Sequence, residues 1–221
     1  MAPPATPSAA RDHHDRGDRS NRARANRHAA GPLPAPAPTA LLLVDLINPL
    51  DFDGARAFHA QVDALAANIV RLKQACAAQG VPAIYVNDRL PGMPWRSDFA
   101  AMVDHAMRAR APAAQMVATL APQPADHTIF KPRHSAFYGT PLQLLLTQMQ
   151  TRRLVICGIA TDSCVQFSAM DAYERGFELW IPGNCSVAQT RERHTAALAW
   201  MARTLRARVA RSTGRTVVSR A

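Results

Sequence analysis

The turn from Gly158 to Val165 carries the residue type best suited to covalent chemistry. It follows an apolar segment and precedes a helical pattern, and Thr161 or Asp162 can cap that helix, which places Cys164 in its first turn. At that position the helix dipole favours a thiolate, and main-chain amides of the turn could hold an oxyanion. The alternative is that Cys164 is a small buried hydrophobic residue, as most free cysteines are, and the spacing alone favours this alternative.

Asp45 and Lys131 are the other two side chains that could do chemistry, because each directly follows a strongly apolar strand. Both are expected over the same edge of a sheet as Cys164. A buried ion pair between them is the simpler alternative, and it is itself costly because desolvation can exceed the attraction. The chain has only two lysines against 24 arginines, and the other, Lys73, falls on an ordinary helical pattern. A lysine shifts its pKa readily and an arginine does not, so the choice of Lys131 suggests a chemical role.

Short apolar strands alternate with amphipathic helices along the chain. The predicted strands are Ala40–Val44, Ala83–Val86, Thr128–Phe130, Leu154–Cys157 and Phe177–Ile181, with a short edge strand within Arg208–Ser212. The predicted helices are Val62–Cys76, Phe99–Met107, Ala113–Leu120, Pro141–Met149, Ser163–Arg175 and Arg191–Leu205. This alternation predicts an α/β fold, a three-layer α-β-α arrangement with a mostly parallel sheet of five to six strands. In such sheets, ligands bind beyond the carboxyl ends of the strands.

The formal net charge of +10 is concentrated at the two ends of the chain. Residues 1–38 hold six Arg and three Asp, and residues 203–221 hold six Arg and no acidic residue. We therefore predict a disordered Pro/Ala/Arg-rich extension at 1–38, a domain at 39–212 and a basic tail at 213–221. A targeting segment and a mis-assigned start codon are alternatives for the extension. The nearly neutral domain argues against nucleic-acid binding, and no apolar run is long enough for a membrane helix.

Four cysteines in this length are too few for a disulfide scaffold. Cys76, Cys157 and Cys185 fit structural positions on a helix stripe, in a buried strand and in a loop. All four are expected to be reduced thiols in a cytoplasmic protein.

Three segments of the chain, in a fixed order, carry a resemblance to a known family. They are the strand that ends in Asp45, the segment Lys131-Pro132-Arg133-His134-Ser135-Ala136-Phe137-Tyr138-Gly139-Thr140, and the turn Gly158–Val165 with Ser168-Ala169-Met170-Asp171-Ala172 after it. Together they resemble the isochorismatase-like cysteine hydrolases, which include nicotinamidases, N-carbamoylsarcosine amidases and ureidoacrylate amidohydrolases. The resemblance spans about residues 39–212 and implies an isochorismatase-like hydrolase fold of the Rossmann-like type.

The resemblance also implies a site and an activity. It implies a catalytic triad of Asp45, Lys131 and Cys164, and a non-proline cis peptide bond between Ile159 and Ala160. The backbone amides of Ala160 and Cys164 would then form the oxyanion hole. The implied activity is cleavage of a C–N bond in a small amide, ureido or carbamoyl substrate through a thioester. A homo-oligomer that takes a small-molecule substrate and needs no cofactor completes the expectation.

Several residues near the strand ends are candidates for the substrate pocket, and a surface or loop-anchoring role is the alternative for each. They are Asn87, Asp88, Trp95, Arg96, His134 and Phe137. A dyad of Cys164 with His134 is conceivable, but a surface or substrate-facing His134 is favoured. An active Cys164 is expected to react fast with iodoacetamide at neutral pH, with a lowered apparent pKa, whereas an idle buried cysteine is not.

The chain departs from the nicotinamidases at their metal site, an Asp-x-His pair after the second strand. Asp88 stands at the matching aspartate, but Leu90 takes the histidine position, and the only histidine in the following stretch is His105. One carboxylate without clustered imidazoles is a poor transition-metal site, so no metal is expected. Nicotinamidase activity becomes the runner-up, and cleavage of isochorismate is disfavoured because members with that activity lack the cysteine. A basic nucleic-acid-binding protein and a catalytically idle scaffold are the non-enzymatic alternatives.

Overall fold

A parallel sheet lies at the centre of the computed structural model, which describes residues 33–90, 92–94, 97–108 and 113–214. Its strands are β1 (Thr39–Val44), β2 (Ala83–Asp88), β3 (His127–Lys131), β4 (Arg153–Ile159), β5 (Glu178–Ile181), β6 (Ser186–Val187) and β7 (Arg208–Val209). The helices are α1 (Arg56–His59), α2 (Val62–Ala77), α3 (Phe99–Met107), α4 (Ala113–Leu120), α5 (Leu142–Gln148), α6 (Gln166–Glu174) and α7 (Arg191–Thr204). Hydrogen-bonded neighbours follow the order β3-β2-β1-β4-β5-β7, with β6 paired to β4. All of these pairings are parallel.

Helices cover both faces of the sheet, which gives three layers. Successive residues of β1 point to opposite faces, so Leu41 and Leu43 pack in the core with α1–α4, and Leu42 and Val44 pack in the core with α5–α7. The predicted α/β fold with a mostly parallel sheet is therefore confirmed. In the described part of the chain the sheet has seven strands rather than five or six, because β6 is a two-residue strand that leaves no hydrophobic pattern.

The first turn of α7 is fixed by a side-chain cap. The hydroxyl of Thr190 accepts a hydrogen bond from the backbone amide of Arg193 at 3.2 Å, which satisfies a donor that the helix itself leaves unpaired. This cap positions the start of α7 against the turn that follows β4. Among the helices of the described ranges, none is both long enough and apolar enough to cross a membrane.

Gly158 allows the ends of β1 and β4 to approach each other closely. Its φ is +131°, and a Cβ at this position would lie 2.0 Å from the carbonyl oxygen of Val44. Asp45, the next residue after Val44, also has a positive φ, of 51°, which is uncommon for a residue other than glycine. The close approach brings Asp45 beside the turn that carries Cys164.

Replacing Gly158 with Ala is expected to lower the free energy of unfolding by more than about 3 kcal/mol, because the added Cβ cannot avoid the backbone of β1. Gly80→Ala is the matched control, since Gly80 also has a positive φ but nothing lies within 4 Å of its Cβ position. The control is expected to cost about 1–2 kcal/mol from backbone strain alone. Urea unfolding of both variants measures the difference, and equal losses would contradict a close approach of β1 and β4.

Candidate active site

The carboxyl ends of β1, β3 and β4 bring Asp45, Lys131 and Cys164 together at one edge of the sheet. The Nζ atom of Lys131 lies 2.8 Å from Asp45 Oδ2 and 3.5 Å from Cys164 Sγ. The exposed fractions of these residues are 4% for Asp45, 2% for Lys131 and 8% for Cys164. Their charges therefore interact with little screening by water.

Both carboxylate oxygens of Asp45 have partners. Oδ1 accepts a hydrogen bond from the backbone amide of Asp88 at 2.8 Å, and Oδ2 faces the Lys131 ammonium. The sulphur of Cys164 lies within 4.8 Å of a carboxylate oxygen of Asp45. The arrangement places a fixed carboxylate where it can take the thiol proton.

Asp88 is a second carboxylate on Lys131. Its Oδ1 lies 2.5 Å from Nζ, and about half of its side chain is exposed to solvent. The ammonium of Lys131 is thus held between two carboxylates and contacts the sulphur of Cys164. Asp88 also lines the cavity over Cys164.

The turn after β4, Thr161–Val165, departs from the geometry of a regular helix at Ser163, where φ is −134° and ψ is −107°. The peptide bond between Ile159 and Ala160 is cis. The Ala160 carbonyl accepts hydrogen bonds from the amides of Ser163 (3.1 Å) and Val165 (3.2 Å), which closes the turn. The regular helix α6 begins only at Gln166, so the prediction that Cys164 lies in the first turn of an ordinary helix is wrong.

The prediction that Thr161 or Asp162 caps the helix is also wrong, because both side chains bind residues of α7 instead. The Thr161 hydroxyl and His194 Nδ1 share a hydrogen bond of 2.7 Å, and Asp162 forms an ion pair with Arg193. Burial lowers the pKa of His194, which favours a neutral imidazole in this contact. These contacts attach the turn to α7, and they could not be read from local spacing.

Burial raises the pKa of Cys164 to about 12, with the negative charge of Asp45 as the second cause and Lys131 opposing both. This direction is opposite to the lowered pKa expected for an active thiol. Burial also raises the pKa of Asp45, although Lys131 acts against it. Burial would lower the pKa of Lys131, but attraction to Asp45 and Cys164 outweighs it and raises that pKa. The site therefore contains a neutral thiol, a carboxylate that accepts a proton more readily than usual, and a lysine that stays protonated.

A metal ion does not fit the donor atoms at this edge. Within the described ranges, Asp45, Asp88 and Cys164 form a group whose ligand atoms lie within 4.8 Å of one another. The Lys131 ammonium contacts all three, at 2.8, 2.5 and 3.5 Å, so it already supplies the positive charge that a metal would bring. The raised pKa of the thiol further disfavours the thiolate that a metal ligand must be.

A cavity of about 470 Å³ opens over Cys164. Its wall combines the turn after β4, the loop after β1 with helix α1, the end of β2, the segment after β3 and two residues near the start of α7. The lining residues besides Asp45, Cys164 and Asp88 include Asn48, Asp51, Phe52, Phe58, Arg89, Leu90, His134, Ile159, Ala160, Asp162, Ser163, Gln189 and Arg193. A volume of this order suits a small molecule.

Two of the expected pocket residues have other positions. Asn87 is buried, and its side-chain amide donates to the Ile47 carbonyl (3.0 Å) and accepts from the Ile47 amide (3.3 Å), so it anchors the loop after β1. Phe137 is buried in the core with α5–α7, where its ring lies 6.0 Å from that of Phe177. Neither lines the cavity, whereas His134 does. Trp95 and Arg96 lie outside the described residues.

Sequence reasoning missed the loop after β1 and the start of α7 as parts of the site. Phe52 and Phe58 supply apolar wall, and Gln189 and Arg193 supply polar wall. None of them stands in a recognisable motif. Topology could have indicated the loop after β1 as part of the site, because this loop begins at the same sheet edge as Asp45.

The chain matches one family model and several known proteins over most of its length. Residues 39–213 match the Isochorismatase domain. YaaI of Bacillus subtilis (strain 168), an uncharacterized isochorismatase family protein, is 35% identical over 173 residues, which are 78% of this chain and 93% of that protein. A ureidoacrylate amidohydrolase, RutB of Methylorubrum extorquens, is 34% identical, over 68% of this chain and 73% of that protein. The crystal structure of nicotinamidase PncA from Bacillus subtilis superposes with a TM-score of 0.59 and 25% identity, over 79% of this chain and 99% of that one.

Proposed function

Because the chain belongs to the isochorismatase family and is a hydrolase related to amidases, we propose that it cleaves a C–N bond of a small amide, ureido or carbamoyl compound with Cys164 as the nucleophile. The observation that carries the proposal is the contact of one buried ammonium, that of Lys131, with both the Asp45 carboxylate and the Cys164 sulphur. A thiol, a base and a fixed cation are the parts that thioester chemistry needs.

The first step is transfer of the Cys164 thiol proton to Asp45. The raised pKa of the thiol means that a free thiolate is scarce, and the raised pKa of Asp45 makes that carboxylate a better acceptor. Lys131 loses no proton in this step. Its ammonium attracts the Asp45 carboxylate before the transfer and the Cys164 thiolate after it. No charge is therefore left unpaired in the buried site.

The thiolate then attacks the carbonyl carbon of the substrate. The carbonyl oxygen becomes an oxyanion, for which we propose the backbone amides of Ala160 and Cys164 as donors. Both residues line the cavity and belong to the turn that the hydrogen bond from the Val165 amide to the Ala160 carbonyl closes. The C–N bond breaks as Asp45 returns its proton to the leaving nitrogen, which departs as ammonia or an amine.

Water completes the cycle by attacking the thioester. Asp45 accepts a proton from this water, the C–S bond breaks, and the proton returns to the sulphur of Cys164. No step uses a metal or an organic cofactor, in keeping with the cation that Lys131 already provides between Asp45 and Asp88.

A panel of carboxamides, ureas and carbamates, assayed for release of ammonia or amine, tests the proposal. At least one compound is expected to be hydrolysed, with a rate that is unchanged in EDTA. Nicotinamide belongs in the panel because a solved relative is a nicotinamidase. Hydrolysis of nicotinamide that is lost in EDTA would favour the runner-up function, and no release from any class would count against an amidohydrolase.

A further inference from the structure

We infer that His134 is a further catalytic residue, a second hydrogen-bond donor to the sulphur of Cys164 that stabilises the thiolate from the cavity side. This inference rests on the proposed role of Cys164 as nucleophile. Asp45 keeps its role as base, so His134 is not the partner of a cysteine–histidine dyad.

The imidazole of His134 lies in direct contact with the reacting atom. Its Nδ1 is 3.6 Å from Cys164 Sγ, within hydrogen-bonding range for sulphur, and 3.4 Å from the hydroxyl oxygen of Ser163. The same hydroxyl lies 3.9 Å from the sulphur. The sulphur thus has the buried side chains of Asp45 and Lys131 as neighbours, together with His134 and Ser163, which line the cavity.

The ring of His134 is held in place by an aromatic neighbour. It stacks on Phe167 with a centroid separation of 5.4 Å and an interplanar angle of 27°. Phe167 belongs to α6, the helix that continues directly from the turn that carries Cys164. The contact therefore fixes the imidazole relative to the sulphur, although His134 itself is exposed and comes from the segment after β3.

His134 adds a hydrogen-bond donor to a sulphur whose cation is shared with a carboxylate. Asp88 disfavours negative charge on the sulphur, and Lys131, which opposes it at 3.5 Å from the sulphur, also pairs with Asp88. Once Asp45 has taken the thiol proton, an Nδ1–H of His134 can donate to the sulphur without any further proton transfer. Hydrogen bonds to charged groups are about twice as strong as neutral ones, so this donor lowers the barrier to forming the nucleophile.

Alkylation by iodoacetamide measures thiolate formation without a known substrate. The sulphur bonds to the acetamide carbon and iodide leaves, and peptide mass spectrometry assigns the rate to Cys164. His134→Leu is expected to lower the second-order rate at neutral pH by about tenfold, the effect of one hydrogen bond to a charged group. His134→Asn keeps an N–H donor near the position of Nδ1 and is expected to recover most of the wild-type rate. A purely structural role of the ring would not give this recovery.

Two control variants complete the experiment. His105→Leu removes another exposed histidine, on α3, and is expected to leave the rate unchanged. Ser163→Ala removes the hydroxyl that shares the His134 contact and is expected to have a smaller effect than His134→Leu. A His134→Leu rate equal to that of the wild type would overturn the inference and leave the proposed function intact. A wild-type Cys164 that reacts no faster than the buried thiols of Cys76, Cys157 and Cys185 would overturn both.

Discussion

Cys164→Ala is expected to abolish hydrolysis of whichever amide the wild-type protein cleaves, with a loss of at least about 10,000-fold in kcat. Alanine has no nucleophilic atom, and neither Asp45 nor Lys131 can supply one to form the thioester. The lost sulphur is a small group at a site that is already 8% exposed, so the fold is expected to survive with a change of about 1 kcal/mol or less. Release of ammonia or amine and the thermal unfolding curve are measured on the same preparation.

Cys76→Ala is the matched control for this experiment. Cys76 is a buried free cysteine on α2, in the core on the α1–α4 face of the sheet. Its removal is expected to cost some stability but to leave kcat unchanged in the folded protein. Retained hydrolysis in Cys164→Ala would show that another group performs the attack, and equal loss in Cys76→Ala would point to a general loss of structure.

The sheet and the meeting of Asp45 with Lys131 and Cys164 were predictable because parallel strands obey simple constraints. A strand covered on both faces is a continuous apolar run, and all six residues of β1 are buried. Parallel strands also end at one edge, so charged residues that directly follow such runs lie along the same edge of the sheet. How close they come depends on the strand order, and β1, β3 and β4 stand within four neighbouring strands.

The details of the turn after β4 were not predictable from local sequence. Thr161 and Asp162 have the side chains of helix caps, but His194 and Arg193 of α7 bind them instead. That pairing depends on how α7 packs against the turn, and local propensity carries no information about it.

The predicted shift of the Cys164 pKa had the wrong direction for a similar reason. A helix start favours a thiolate, but Cys164 precedes the regular helix α6, and its burial beside the Asp45 carboxylate raises the pKa of its thiol. Cys164 is buried in a core that includes residues of β1 and α7, which lie far from it in sequence. Asn87 and Phe137 were likewise placed in the pocket by their position in the chain, and their own side-chain partners exclude them from it.

Lys131→Met is expected to remove activity and to lower the free energy of unfolding by about 3–5 kcal/mol at neutral pH, because it leaves the Asp45 carboxylate buried without a cation. For a chain of this length the loss corresponds to a fall of about 10 °C in Tm. Lys73→Met is the matched control, since Lys73 pairs with Asp126 at 2.5 Å but keeps about a fifth of its side chain exposed. The control is expected to lose less stability and to keep its activity, because Lys73 contacts no group of the candidate site.

The loss of stability in Lys131→Met should change with pH if the lysine acts through its ion pair, and should stay constant if it acts through packing. Burial already raises the pKa of Asp45 in the wild type, and without Lys131 that pKa rises further. A folded-state pKa above the unfolded value means that the folded state binds more protons, so stability falls as pH rises from about 4 through the folded pKa. The raised pKa of Lys131 keeps its stabilising charge in the wild type throughout this range. The difference in Tm between the two proteins should therefore be smallest near pH 5 and largest near pH 8, and a constant difference would mean that the lysine acts by packing alone.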